Sequence, residues 1–121
     1  MIMIMRIWHG VTKTSRSDDF FIYLMKTGVP WYRSLAGNRG VVVLRRTKEE
    51  TSEFLLLSLW DSMESIKRFA GADIDKAIYD FSEDIDYLLE LESEVAHYEV
   101  LSDFGSGESP PHAVATYSII V

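Results

Sequence analysis

No cysteine occurs among the 121 residues, which removes disulfides, thiol nucleophiles and Cys-ligated metals together. Long apolar runs are missing too. None approaches the ~20 residues that span a bilayer, and the opening MIMIMRIW alternates like a strand, without a basic leader or a small-residue cleavage site. A cytoplasmic protein with no membrane partner is expected. Basic residues stop at Lys76: the first 76 positions carry 12 basic and 9 acidic side chains, the last 45 carry 10 acidic and none basic, and the formal total is -7. The acidic third would repel phosphate and the basic residues form no continuous run, so nucleic acid is not an expected partner. Those acids read as a solvated face. The three histidines, His9, His97 and His112, lack close pairing, and no metal site is expected.

What is present is sharpest in EFLLLSLWDSMESIKRFAG, residues 53 to 71. Leu55, Leu57 and Leu59 alternate with Phe54, Leu56 and Trp60, so both faces of this strand need cover from water. Asp61 stands at a helix N-cap position with Glu64 three residues on as a capping box, and Met63, Ile66, Phe69 and Ala70 make an apolar stripe that Gly71 closes. One layer of helices covers one sheet face. A second copy of the sheet is the simplest cover for the other, which predicts a homodimer.

Alternation and breakers place further strands over residues 2–12, 40–47 and 94–101, with KEETS as a charged hairpin between the second and third. Ser15 or Ser17 is expected to cap a first helix that carries Phe20, Phe21, Leu24 and Met25 and that Pro30 ends or kinks. Residues 35–40, LAGNRG, read as a loop, lacking the Gly-Lys-Ser/Thr ending of a phosphate loop. Asp73–Tyr79 and Ser82–Leu89 read as short helical pieces, and Asp80, Glu83, Asp84 and Asp86 as a wet helix start with no calcium-loop spacing. The order strand, helix, strand, strand, helix, strand is the α+β ferredoxin-like βαββαβ unit, a four-stranded antiparallel sheet with helices on one face. It occupies residues 1–101. Residues 102–112 form a polar linker, and AVATYSIIV, residues 113–121, a β-prone tail expected to dock as an added strand on its own sheet or, by preference, on the partner's.

The strings RIWHGVT, PWYRSLAGNRGVVVLRR, FLLLSLWDSMESIKRFAG and VAHYEV resemble the antibiotic biosynthesis monooxygenase-like group of dimeric α+β barrel proteins over residues 4 to 101. The resemblance implies a dimeric α+β barrel with a small apolar or aromatic ligand. It also implies a fold that hosts quinol and polyketide oxygenases, haem-degrading enzymes, isomerases and proteins without catalysis. Where haem-degrading members carry Asn, Trp and a haem-ligating His, this chain holds Trp8 or His9, Phe69 and Tyr79. That leaves a cofactor-independent monooxygenase acting on a small phenol or quinol as the leading expectation. A non-catalytic ligand-binding or stress-response protein is the alternative, and isomerisation through an enolate a third.

Oxygenation of a substrate anion needs a base, a donor that steadies the phenolate and aromatic walls. His9 and His97 lie on strands that neighbour each other in this topology and are expected near one pocket as the base, with Tyr79 as a catalytic orienting group. Trp60 offers an indole N–H at the end of its strand, beside Phe69. Trp31 and Tyr32 after Pro30, with Phe81, are the expected rim, and Arg39 is a candidate for an anionic group. Ordinary core packing, or a hydrogen-bonded strand histidine, is the competing reading at each of these positions.

Overall fold

The computed structural model describes residues 2–79 and 84–102, with the backbone alone for Asp84 and Ile85. Phe81, Asp80, Glu83, His112, the linker beyond 102 and the tail lie outside these. The elements are β1 (Ile4–Lys13), α1 (Ser17–Lys26), α2 (Gly28–Ser34), β2 (Asn38–Lys48), β3 (Thr51–Trp60), α3 (Met63–Ala70), a single turn α4 (Asp84–Tyr87) and β4 (Ala96–Glu99). All strand pairs are antiparallel, in the order β2-β3-β1-β4. This is the ferredoxin-like α+β topology expected from the sequence.

Strand parity decides everything about the site. On β1, Ile4, Arg6, Trp8, Gly10 and Thr12 are buried while Met5, Ile7, His9 and Val11 are half-exposed; on β3, Ser52, Phe54, Leu56, Ser58 and Trp60 are buried while Glu53, Leu55, Leu57 and Leu59 are not. Its apolar members, Ile4, Trp8, Phe54, Leu56 and Trp60, pack with Phe20, Leu24, Val29, Tyr32 and Ile66 from α1, α2 and α3 into one core. Register carries the other set across the sheet, with Leu57 opposite Ile7 and Val42, and Leu55 opposite His9 and Leu44. That face is apolar and open, with Val42, Leu44 and Tyr98 exposed.

Several local expectations are corrected. Ser62, not Asp61, caps α3, its hydroxyl accepting from the Ser65 N–H at 3.2 Å. Asp61 stands one residue earlier and accepts from the Ser62 and Ser65 hydroxyls, which hold its carboxyl below the usual range. No side chain caps α1; Ser17 Oγ donates instead to the Thr14 carbonyl. The first helix breaks at Thr27, whose φ/ψ of −122°/−84° leaves the helical region. Pro30 therefore falls in the first turn of α2, where its missing N–H is no loss, and Trp31 and Tyr32 are helical. Residues 73–79 are not helical but hold turns and an isolated bridge from Lys76 to Glu94. Of the helix expected over 82–89, only α4 is helical among the described residues.

The edge of β1 is paired in two pieces. Its first half meets β4, with Arg6 opposite His97, and its far end meets Leu88 and Leu89, where the Leu89 N–H donates to Val11 O at 2.9 Å. Between them, residues 90–95 swing away and pair with 75–77 through Ala77 N–H to Ser93 O and Val95 N–H to Asp75 O.

Candidate functional site

Arg6 is the least expected group. Its place in phase with Ile4 and Trp8 puts a guanidinium under the helices, where it is 1% exposed. Nη1 donates to the Ile74 carbonyl at 2.7 Å and Nη2 to the Lys76 carbonyl at 3.1 Å, so Arg6 ties the 73–77 segment to the sheet. The cation lies 5.3 Å from the centre of the Phe69 ring. Among the described residues no carboxylate pairs with it and no group partners its buried Nε–H.

His97 completes this corner. Arg6 Nη1 is 3.0 Å from its Nε2, and because a guanidinium only donates, Nε2 must be the acceptor. The proton then sits on Nδ1, which donates to Asp75 Oδ1 at 3.0 Å. His97 is thus a neutral imidazole between a cation and a carboxylate. Burial first, with the Arg6 charge, pushes its pKa below 6.5 despite the raising effect of Asp75.

Trp31, Tyr32, Trp60 and Phe69 do come together. Trp60 and Phe69 stack at 4.8 Å, and Tyr32 stands edge-on to both at 6.0 and 5.7 Å. Trp31 meets Phe69 edge-on at 5.6 Å. Trp60 is fully buried, and its Nε1–H donates to Ser58 Oγ at 2.9 Å rather than standing open. Tyr79 belongs to a different group: Trp8 Nε1–H donates to its oxygen at 3.1 Å, and its O–H donates to the Glu92 carbonyl at 2.7 Å. Arg39 is exposed at the bulge in β2, within electrostatic reach of Asp61. Phe81 lies outside the described residues.

The expectation that His9 and His97 share a pocket is corrected by parity. His97 is level with Arg6 on the helix face, whereas His9 faces the open side with Leu55. There its Nδ1 bonds Glu92 Oε1 and its Nε2 lies 2.8 Å from Glu53 Oε2; Arg46 Nη2 holds the other Glu53 oxygen at 2.8 Å. Burial lowers the His9 pKa, but the hydrogen bonds and charges of Glu92 and Glu53 outweigh it, and the net direction is up. The His9 hydrogen bond in turn leads the effects that hold the Glu53 carboxyl low. Since both ring nitrogens of His9 and both of His97 are engaged, neither presents a free nitrogen to a haem iron.

Arg6, Asp75, Glu53 and Glu92 did not emerge from the sequence as site residues. Arg6 alone left a signal, as a cation in phase with the apolar residues of its strand.

No family model matches the chain, and no curated protein matches it by sequence. Solved structures do. It is similar to proteins provisionally named antibiotic biosynthesis monooxygenases from Bacillus cereus (16% identity, 88% of this chain and 100% of that one, TM-score 0.61) and Bordetella bronchiseptica (20%, 84% and 100%, 0.60). A haem degrader from Mycobacterium tuberculosis, solved with two haems in its active site, matches at 15% identity over 84% of this chain and 99% of that one, with a TM-score of 0.54. The chain therefore has the ferredoxin-like α+β fold of the antibiotic biosynthesis monooxygenase-like proteins.

Proposed function

We propose that the protein is a cofactor-independent monooxygenase acting on a small phenol or quinol held on the helix face, in a homodimer whose second copy covers the open sheet face. The observation that carries this reading is the neutral His97 imidazole facing a buried guanidinium that has no carboxylate partner among the described residues. A phenol hydroxyl that displaced Arg6 Nη1 from Nε2 would give its proton to that nitrogen, and the phenolate would meet the freed Arg6 N–H in a water-poor setting where such attraction is strong. Asp75 then steadies the imidazolium through Nδ1–H. Reaction of the electron-rich ring with dioxygen converts a phenol to a quinone and water, one oxygen atom entering the ring. Trp60 and Phe69 supply the aromatic wall beside the cation, while Tyr79 stands apart with Trp8.

The fold's occurrence in proteins named monooxygenases supports the class of reaction. The rival reading is a binding protein without catalysis, in which the cluster of Trp31, Tyr32, Trp60 and Phe69 offers apolar contact and no base. Oxygen uptake separates the two. With a panel of small phenols and quinols and no added metal, flavin or haem, one dioxygen should be consumed per quinone formed, and His97→Gln should lower the rate by about 10²-fold or more. Binding without oxygen uptake across the panel favours the rival.

A further inference from the structure

Glu92 touches both faces of the sheet from the edge of β1. Its carboxylate is bonded to His9 on the open face, and its backbone carbonyl accepts the Tyr79 hydroxyl that in turn accepts from Trp8 on the helix face. It sits in residues 90–95, the stretch that leaves β1 between the Leu89 and β4 pairings. We propose that His9 is a positioning residue: protonated, it latches Glu92 to the sheet and thereby fixes Tyr79 and Trp8, and losing its proton releases them.

The geometry requires the protonated form. Each ring nitrogen faces a carboxylate oxygen, and carboxylates only accept, so both nitrogens must carry hydrogen. Once His9 is neutral, one nitrogen turns a lone pair toward one of those oxygens, and that contact becomes repulsive. Glu53 is the poorer candidate to yield, being in the regular ladder of β3 opposite Val11 and held by Arg46. Glu92 lies outside the ladder and has no cation partner besides His9 among the described residues; its stretch is held at Ser93 and Val95 by 75–77, which leaves the Glu92 side chain as the group that yields. Among the described residues, the charged groups facing His9 are Glu53 from β3 and Glu92 from the 90–95 stretch, with Arg46 of β2 behind Glu53. Protonated, the set of four is neutral; deprotonated, it carries one net negative charge. The direction of the His9 shift agrees with this reading.

The inference is independent of the proposed chemistry and is tested on the protein alone. In a ¹⁵N NMR titration from pH 5.5 to 9, the Trp8 indole N–H resonance and the exchange rate of the Leu89 amide should follow one transition, with a midpoint above 6.5. Both should lose that transition in His9→Gln and in Glu92→Gln. Glu53→Gln should keep it but move its midpoint down. If the Trp8 indole is flat while the His9 ring carbons titrate, or if its transition survives in folded His9→Gln, the latch is wrong. Should His9→Gln fail to fold, Glu92→Gln alone decides, because it leaves both the imidazole and its contact with Glu53 in place.

Discussion

The indole of Trp8 lies across Gly10. A Cβ at position 10 would stand 2.2 Å from Trp8 Cη2, 2.7 Å from Cζ2 and 2.9 Å from Cζ3, distances at which something must move. The ring has little freedom, since Trp8 is buried, tilted against Phe20 at 6.2 Å and bonded to Tyr79. Gly10→Ala should therefore destabilise the fold by about 1–3 kcal/mol, the usual range for overpacking. It should also shift the Trp8 indole resonance. Gly28→Ala is the control: the nearest atom to its Cβ is Leu24 Cδ2 at 4.0 Å, and denaturant melts should show little change.

Trp60→Ala should lower stability by about 3–5 kcal/mol, because the ring is fully buried and stacked on Phe69. Phe69→Ala belongs at the low end of that range, since Phe69 is half-buried, but it also uncovers the Arg6 cation. Chemical denaturation measures both. Trp60→Phe keeps the stack but loses the bond to Ser58 and leaves a small cavity, so a loss of about 1–3 kcal/mol is expected.

The fold was legible because alternation and breakers act locally. The two-sided β3 with its capped helix fixed the layer arrangement, and the hairpin and β4 followed. What stayed hidden depends on parity and on contacts between distant residues. Position 9 and position 97 are on adjacent strands, but only the register, Arg6 opposite His97, reveals that the imidazoles face opposite ways. Glu92 lies in an irregular stretch with no periodicity to read, 83 residues from His9. Trp60 illustrates the reverse difficulty: its burial was foreseeable, but the acceptor of its N–H, Ser58, is a small residue two positions back on the same strand. Pro30 misled because a proline that ends one helix and one that opens the next leave the same mark in a sequence.

His9 and His97 should tilt the stability curve in opposite directions. The folded His97 has a pKa below 6.5, so as pH falls past 6.5 the unfolded chain takes up a proton that the folded chain refuses, and stability drops until the folded value is passed. The folded His9 has a pKa above 6.5, so its contribution is complete below 6.5 and lost as pH rises through the folded value. Melts from pH 5 to 9 should show a fall at each end. His97→Gln should flatten the acid side and His9→Gln the alkaline side; the reverse assignment would contradict the geometry of both sites.

The open face should join two copies of the chain. Ile7, Leu57 and Val42 run across three strands in register, Leu55 and Leu44 lie beside them, and Val42 and Leu44 are 50% and 44% exposed. Uncovered, such a face leaves apolar surface in water at a cost of about 25 cal/mol per Å². Face-to-face pairing of two sheets would remove that cost and should bury about 1,000 Å² or more in total, the scale of a specific interface. Leu57 is the position to test, because it is central and only half-buried in one copy, so a charge there can reach solvent without disrupting the helix-side core. Sedimentation velocity at micromolar concentration should show a dimer for the native protein and a folded monomer for Leu57→Lys. A native protein that sediments as a monomer, or a Leu57→Lys protein that remains dimeric, would place the contact elsewhere or remove it.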